Sequence, residues 1–149
     1  MKNKKVHSGM QNLFVRASSI FIAFETKDSL GALLDEIFKP CNNLGVLVLS
    51  CAFSFVSPPF LNCFNLRFLG LENCMDDHTV ELEGRGCTTK WAFLDRLRVI
   101  DLYYTEWAQI LSNIELMDNL KELNIEGVRW SQWTIHQLQK NFLTSNSFE

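Results

Sequence analysis

The chain repeats one arrangement of apolar residues, Leu-x-x-Leu-x-Leu, with a small or polar residue eight positions after the first leucine. The clearest copy consists of Leu66, Leu69, Leu71 and Cys74. Two further copies, with isoleucine or valine at some positions, are Leu97, Ile100, Leu102 and Thr105, and Leu120, Leu123, Ile125 and Val128. A third consists of Leu44, Leu47 and Leu49, and its small residue, Cys51, comes one position early. A degenerate first copy consists of Met10, Leu13, Val15 and Ser18. Successive copies begin about 34, 22, 31 and 23 residues apart, and two of these steps match the roughly 20–29 residues of a leucine-rich repeat.

Within each copy the apolar positions alternate with variable ones, which is the period of a short, half-buried strand. The remainder of each unit must return across the other side of the core, so successive strands run parallel and must stack. We therefore predict an α/β fold: a leucine-rich-repeat solenoid of about four to five repeats. Its short-stranded parallel sheet is expected on the concave face, with irregular or helical segments on the convex side.

The segments between the copies support this organisation. Residues Ser29–Lys39 carry apolar side chains at helical spacing and are followed by Pro40, so a helix is predicted to end there. A second helix is predicted within Trp107–Met117, and Pro58-Pro59 predicts an extended or turn-like return. Trp107 and Trp130 occupy equivalent positions ten residues into their repeats, where side chains are expected to point inward. The predicted domain spans residues 10–133, with an N-terminal tail at 1–9 and a C-terminal tail or partial cap at 134–149.

Composition narrows the class of partner. The 149 residues suffice for one domain, and a net charge of -3 disfavours binding to a phosphate backbone. The continuous apolar run at 44–56 is too short to cross a bilayer. The five cysteines form an odd set without a Cys-x-x-Cys pair, which indicates reduced thiols in the cytoplasm rather than a zinc site or a disulfide framework. We therefore expect no cofactor, no metal, no nucleic acid and no membrane partner.

The variable positions of the strands form the predicted binding surface. Apolar and acidic side chains there suit a protein partner with a basic edge. The same face is equally compatible with burial under a neighbouring domain of a longer chain. The predicted protein-binding residues of the concave face are Phe14, Val46, Val48, Phe68, Glu72, Val99, Asp101, Tyr103, Glu122 and Glu126.

One acidic segment offers an alternative chemistry. His78 stands among Asp76, Asp77, Glu81 and Glu83, a combination that also occurs at metal and acid–base sites. The segment falls in the longest insertion between repeats, which favours a solvated acidic loop. Catalysis by Cys87 with His78 would need an orienting group and an oxyanion hole, and neither has a recognisable signature. A non-catalytic protein is therefore predicted.

The sequence of the repeats resembles the leucine-rich-repeat region of plant nucleotide-binding disease resistance proteins. The segments that carry the resemblance are Leu33–Cys51, Cys63–Cys74, Leu97–Leu102 and Asn119–Val128, within residues 10–133. The resemblance implies an intracellular module that recognises pathogen effectors or host proteins in the defence response, or restrains a nucleotide-binding switch domain.

The sequence departs from that family because we recognise neither a signalling domain nor a polar cap before the first repeat. It contains no Gly-x-x-x-x-Gly-Lys-Ser/Thr loop, so nucleotide binding is not carried over. A fragment or truncated form of such a receptor is expected. The alternatives are an F-box-type leucine-rich-repeat substrate adaptor for ubiquitin ligation, and a decayed fragment without an independent function. An extracellular receptor is disfavoured because the Asn and Ile-Pro positions of its repeats do not occur here.

Overall fold

Five short strands form one parallel sheet in which the order of the strands follows the order of the chain. The computed structural model describes residues 13–24, 31–76, 91–128 and 136. Consecutive parallel strands require a crossover between them, and the intervening segments provide it on the opposite side of the core. The strands are β1 (Ser19–Ala23), β2 (Val46–Ser50), β3 (Phe68–Glu72), β4 (Val99–Tyr103) and β5 (Glu122–Glu126).

The register of β2 to β5 follows the predicted frame. Leu69 pairs with Leu47 on one side and with Ile100 on the other, and Ile100 pairs with Leu123. Leu71 is placed in the same way two residues further along β3. Equivalent positions of the sequence therefore lie side by side in a shared interior, as predicted.

The predicted first copy, from Met10 to Ser18, is wrong. Residues 13–15 form a helical turn, and the strand begins at Ser19, seven residues later than the frame requires. The Ser18 carbonyl oxygen accepts hydrogen bonds from the Gly45 and Val46 amides at 2.8 and 3.1 Å. This contact fixes the pairing of Ile20 with Leu47, so the frame of the first strand starts at Ala17.

The helical segments are short. Helix α1 (Gly31–Phe38) lies within the predicted range and buries Leu34, Ile37 and Phe38. Helix α2 (Ala108–Ser112) is shorter than predicted and gives way to a 3-10 turn at Ile114–Leu116. The Asn113 side-chain amide donates to the Gln109 carbonyl oxygen at 2.7 Å, which satisfies that acceptor where the α-helix ends. A further 3-10 turn spans Ala92–Arg96.

An aromatic cluster fills the core between the sheet and the returning segments. Trp107 is fully buried, which confirms its predicted inward position. Its ring packs edge-on against Phe53 and Phe60, with centroids 5.9 and 6.0 Å apart. Phe60 also contacts Phe93 of the 3-10 turn at 5.2 Å. The cluster therefore joins three successive returning segments into one interior.

Other sequence predictions fall outside the described residues. These are Trp130, most of the acidic segment with His78, and the tails at 1–9 and 134–149. Among the residues that the structure does describe, none belongs to a helix with the length and apolarity needed to cross a membrane.

Candidate functional site

The variable side chains of the five strands form the face of the sheet that points away from the leucine core, here called the outer face. Parallel pairing aligns these side chains in three rows that cross the strands. The rows are Ser19, Val46, Phe68, Val99 and Glu122; Phe21, Val48, Gly70, Asp101 and Asn124; and Ala23, Ser50, Glu72, Tyr103 and Glu126. All of the predicted binding residues except Phe14 lie on this face.

Phe14 lies elsewhere because the first strand was predicted too early. It belongs to the helical turn at 13–15 and packs, half-buried, against the core. Its carbonyl oxygen accepts a hydrogen bond from the Ala17 amide at 3.2 Å and a weaker one from the Cys41 thiol at 3.4 Å. Phe14 is therefore a packing residue of the N-terminal turn.

The aromatic residue of the outer face on β1 is Phe21, which the sequence prediction missed. Phe21 pairs with Val48, and 72% of its side chain is exposed. A search of the frame that allowed alanine at its first position would have found the copy Ala17-x-x-Ile20-x-Ile22 and placed Phe21 outward.

A depression of about 380 Å³ lies in the middle of the outer face. Gly70 is one of the residues that line it. A Cβ at Gly70 would lie 3.1 Å from Cε1 of Phe68 and 3.3 Å from Cγ2 of Val48. The Phe68 ring and the Val48 methyl groups thus pack close to the glycine, and the depression beside them has apolar side chains on one side and acidic side chains with Tyr103 on the other.

Acidic side chains of β3, β4 and β5 border this depression. Glu72, Asp101 and Glu126 line it, while Glu122 stands at the start of β5 and accepts a hydrogen bond from the Asn124 amide at 3.0 Å. Carboxylates beside a partly apolar surface attract cationic groups of a partner. The outer face therefore combines apolar side chains on β1 to β4 with acidic side chains on β3 to β5.

Tyr103 supplies a neutral polar group at this border. The adjacent Tyr104 phenol, partial desolvation and then the Glu126 carboxylate raise the pKa of Tyr103. The two tyrosine rings meet edge-to-face, with centroids 4.5 Å apart. A tyrosine phenol is protonated at neutral pH, so Tyr103 can donate a hydrogen bond to a ligand.

The cysteines belong to the core. Cys41, Cys51, Cys63 and Cys74 are free and buried, and burial raises the pKa of all four thiols. The pKa reaches about 12 for Cys51 and Cys63 and about 11 for Cys74. These four thiols are protonated at neutral pH and are poor nucleophiles. Cys87 lies outside the described residues.

A second depression, of about 490 Å³, lies beyond the carboxyl ends of the strands and includes Asp76 and Tyr104. Asp76 accepts a hydrogen bond from the Phe55 amide at 2.9 Å, so this carboxylate holds the backbone. The other acidic residues around His78 lie outside the described residues. Within the ranges that the structure describes, no group of three His, Cys, Asp or Glu side chains is placed to hold a metal ion.

Known proteins provide no assignment for this chain. No family model, curated protein or solved structure matches it significantly.

Proposed function

We propose that this chain is a leucine-rich-repeat module that binds another protein through the outer face of its sheet. The repeated frame supports the repeat assignment, because each copy from Leu44 onward corresponds to one strand and equivalent leucines pair across strands. The sequence resemblance adds the setting: an intracellular plant immune receptor, of which this chain is a part, that recognises an effector or host protein in defence. The module acts in the cytoplasm.

The observation that carries this proposal is the apolar surface in the middle of the outer face. Phe21 is largely exposed, and Val46, Phe68 and Val99 keep part of their surface in solvent in one continuous row. Isolated apolar residues are common on protein surfaces, but a contiguous patch with a charged border is typical of a binding site. We therefore assign the outer face to partner recognition.

Binding rather than catalysis accounts best for the chemistry of the outer face. The four thiols that the structure describes are buried and have raised pKa values, and the carboxylates of the face are dispersed over three strands. A surface of this kind orients a partner through shape and charge. No reaction step is proposed for it.

The size of the face bears on affinity. Five strands spaced by roughly 4.8 Å give a width of about 20 Å, and strands of five residues extend for about 15 Å. This area, of the order of 300 Å², is smaller than the roughly 800 Å² that each partner buries in a standard interface. The partner is therefore expected to bind weakly to the outer face alone, or to contact neighbouring loops as well.

A charge insertion on the outer face tests the proposal. In plant cells, the chain fused to a biotin ligase should label a reproducible set of proteins that includes nucleotide-binding receptors or their targets. Phe68→Glu with Val99→Glu should remove that labelling, because two carboxylates would replace apolar side chains and would lose their hydration in the interface. Leu116→Glu is the control, since Leu116 is 64% exposed in the 3-10 turn away from the strands.

A loss of labelling counts only if the protein still folds. Circular dichroism should therefore show the same folded spectrum for the double variant and for Leu116→Glu. Labelling that is unchanged by the double substitution would contradict binding through the outer face, and labelling of ubiquitin-ligase subunits alone would replace the receptor assignment by the adaptor assignment.

A further inference from the structure

The depression of the outer face adjoins the one beyond the carboxyl ends of the strands, here called the strand-end depression. At the end of β4, Tyr103 lines the outer-face depression and the next residue, Tyr104, lines the strand-end depression. At the end of β5, Glu126 and Gly127 are divided between the two in the same way. A partner segment that fills one depression can therefore continue directly into the other.

Two tyrosines connect the depressions. The rings of Tyr103 and Tyr104 meet edge-to-face, with centroids 4.5 Å apart. The Tyr104 ring lies against Gly127, because a Cβ at that glycine would come within 2.5 Å of Cδ1 and Cε1 of the ring. Tyr104 is nevertheless 52% exposed. The glycine thus gives the ring a place at the surface without burying it.

The backbone does not require a tyrosine at this position. Tyr104 adopts a φ of 48°, in the left-handed region that bulky side chains rarely occupy. Asn73 holds the corresponding position after β3, with a φ of 49°, and asparagine tolerates this conformation well. Each of the two amides donates to the end of the next strand, Asn73 to the Tyr103 carbonyl oxygen and Tyr104 to that of Glu126. An exposed ring kept in an unfavourable conformation points to a use in binding.

The charges around both depressions have one sign. Three carboxylates line the outer-face depression and two line the strand-end depression: Glu72, Asp101 and Glu126, and Asp76 and Glu106. Among the described residues that line them, none is a lysine, arginine or histidine. Asp76 already accepts a hydrogen bond from a backbone amide, whereas the Glu106 side chain is exposed. Such a surface attracts a positively charged segment.

We propose that the bound segment of the partner carries two basic residues and crosses from the outer-face depression into the strand-end depression. One cationic side chain lies among the three carboxylates of the outer-face depression. The other lies against the exposed ring of Tyr104 beside Glu106, because a cation is attracted by an aromatic ring as well as by a carboxylate. Asp101 and Tyr104 are three residues apart, or about 10 Å of extended chain, so the two basic residues stand about three positions apart. This inference rests on the proposed function and extends its surface.

The strand-end depression supplies contact area that the outer face lacks. The sheet alone offers an area of the order of 300 Å², against roughly 800 Å² per partner in a standard interface. A segment that continues into the strand-end depression, with its volume of about 490 Å³, buries surface on both sides of the tyrosine pair. Two contacts on one segment also bind more tightly than either alone, because the second forms within the complex.

Selection of peptides on the purified full chain tests the inference. A random library of peptides of about 12 residues, which reach roughly 40 Å when extended, is panned on the wild-type chain, and the affinities of the enriched peptides are measured. The enriched sequences should contain two basic residues about three positions apart. Glu106→Lys should weaken their binding by about fivefold or more, because an attractive contact becomes repulsive. Tyr104→Asn should weaken it by about threefold to tenfold, because it removes the ring and keeps the backbone conformation seen at Asn73.

A matched charge reversal controls for net charge. Asp35→Lys changes the net charge by the same amount as Glu106→Lys, at an exposed position of α1 that lines neither depression. It should leave the affinity within about twofold. Circular dichroism should show the wild-type spectrum for all three single variants. Equal affinities for Asp35→Lys and Glu106→Lys, or wild-type affinity for Tyr104→Asn, would overturn the inference.

Two methionines report whether the peptide reaches the strand-end depression. Met75 lines it and is 50% exposed, whereas Met117 is 5% exposed and belongs to the core. In protein with methyl-labelled methionine, titration with an enriched peptide should shift the Met75 signal and leave the Met117 signal in place. A Met75 signal that stays in place at saturation would overturn the inference.

Failure of the inference can be told from failure of the proposed function. If Phe68→Glu with Val99→Glu removes peptide binding while Tyr104→Asn and Glu106→Lys do not, the partner occupies the outer face alone and only the extension is wrong. If no enriched peptide depends on any of these residues, binding through the outer face is wrong as well. Sedimentation of the chain without peptide tests the remaining occupant. A dimer that dissociates in Tyr104→Asn would assign the surface to a second copy of the chain and overturn the inference.

Discussion

Trp107 donates its indole N–H to the backbone carbonyl oxygen of Phe55 at 3.2 Å, although 52 residues separate the two in the sequence. Both groups are buried, so neither can exchange this bond for one to water. The same ring contacts Phe53 and Phe60 in the aromatic cluster. Trp107 therefore ties the returning segment after β2 to the one after β4.

Replacement of Trp107 tests this tie. Trp107→Phe should lower the free energy of unfolding by about 2–4 kcal/mol, because it leaves the Phe55 carbonyl oxygen without its donor and opens a cavity. Urea denaturation followed by circular dichroism measures the change. The control Leu116→Ala, at an exposed side chain, should stay within about 0.5 kcal/mol. A Trp107→Phe protein as stable as this control would contradict the role assigned to the bond.

Thr105 is a buried hydroxyl whose hydrogen bonds join β3 to the segment after β4. The Cys74 amide donates to its Oγ1 at 3.0 Å, and Oγ1 lies 3.2 Å from the Leu71 carbonyl oxygen. Thr105→Val keeps the shape of the side chain but removes these partners, so we expect a loss of about 1–3 kcal/mol of stability. Thr105→Ser keeps the hydroxyl and should cost less. If urea denaturation shows a lower free energy of unfolding for Thr105→Ser than for Thr105→Val, this account is refuted.

The buried thiols predict a pattern of chemical labelling. With Cys87→Ser to remove the fifth cysteine, the folded protein should react slowly with iodoacetamide at pH 8, because Cys41, Cys51, Cys63 and Cys74 are buried and protonated. In denaturant all four should react at the rate of free cysteine. Mass spectrometry counts the modified thiols. Rapid labelling of any of the four in the folded protein would contradict their burial.

The same thiols predict how stability depends on pH. The pKa of Cys51 and Cys63 rises from 9.0 to about 12 on folding, so the folded state holds these protons where the unfolded state has released them. Their stabilising contribution is present in full below pH 9 and is lost as the pH rises towards 12. The urea midpoint of the wild-type protein should fall as the pH is raised from 8 to 11. The midpoint of Cys63→Ala should fall less steeply over the same range. Parallel slopes for the two proteins would exclude this contribution.

Gly70 allows binding to be changed separately from folding. A methyl group at Gly70 would press on Phe68 and Val48 and partly fill the depression, so Gly70→Ala should weaken partner binding by about threefold to tenfold. The melting temperature should change by only a few degrees, because the alanine also restricts the unfolded chain. Gly45→Ala is the matched control, since its Cβ would meet nothing closer than 3.6 Å. Equal binding by the two variants would show that the depression does not contact the partner.

The sequence predicted the sheet from β2 to β5 because leucines that recur at this spacing are best buried by parallel strands around a common core. Leu69, Ile100 and Leu123 are placed inward by alternation along a strand, and their equivalence along the chain predicts that they pair. The outward residues of these strands follow from the same alternation. Most of the candidate site therefore follows from the sequence alone.

The first strand was placed wrongly because two frames fit this part of the sequence, one from Met10 and one from Ala17. Met10 and Leu13 are three positions apart, a spacing that suits a helical turn as well as the frame, and the pairing that decides the matter joins Ser18 to Gly45. Alternation along one segment contains no information about such a long-range contact. The aromatic cluster was missed for a related reason, because Phe53, Phe60 and Phe93 lie in segments without a common period.

Binding through the outer face is tested most directly by nuclear magnetic resonance of methyl-labelled protein with an identified partner or a selected peptide. The account predicts that titration shifts or broadens the methyl signals of Val46, Val48 and Val99, whereas those of Leu34 and Ile37 in α1 stay in place. Perturbation confined to α1 or to the returning segments, with the three valines unchanged, would contradict the account.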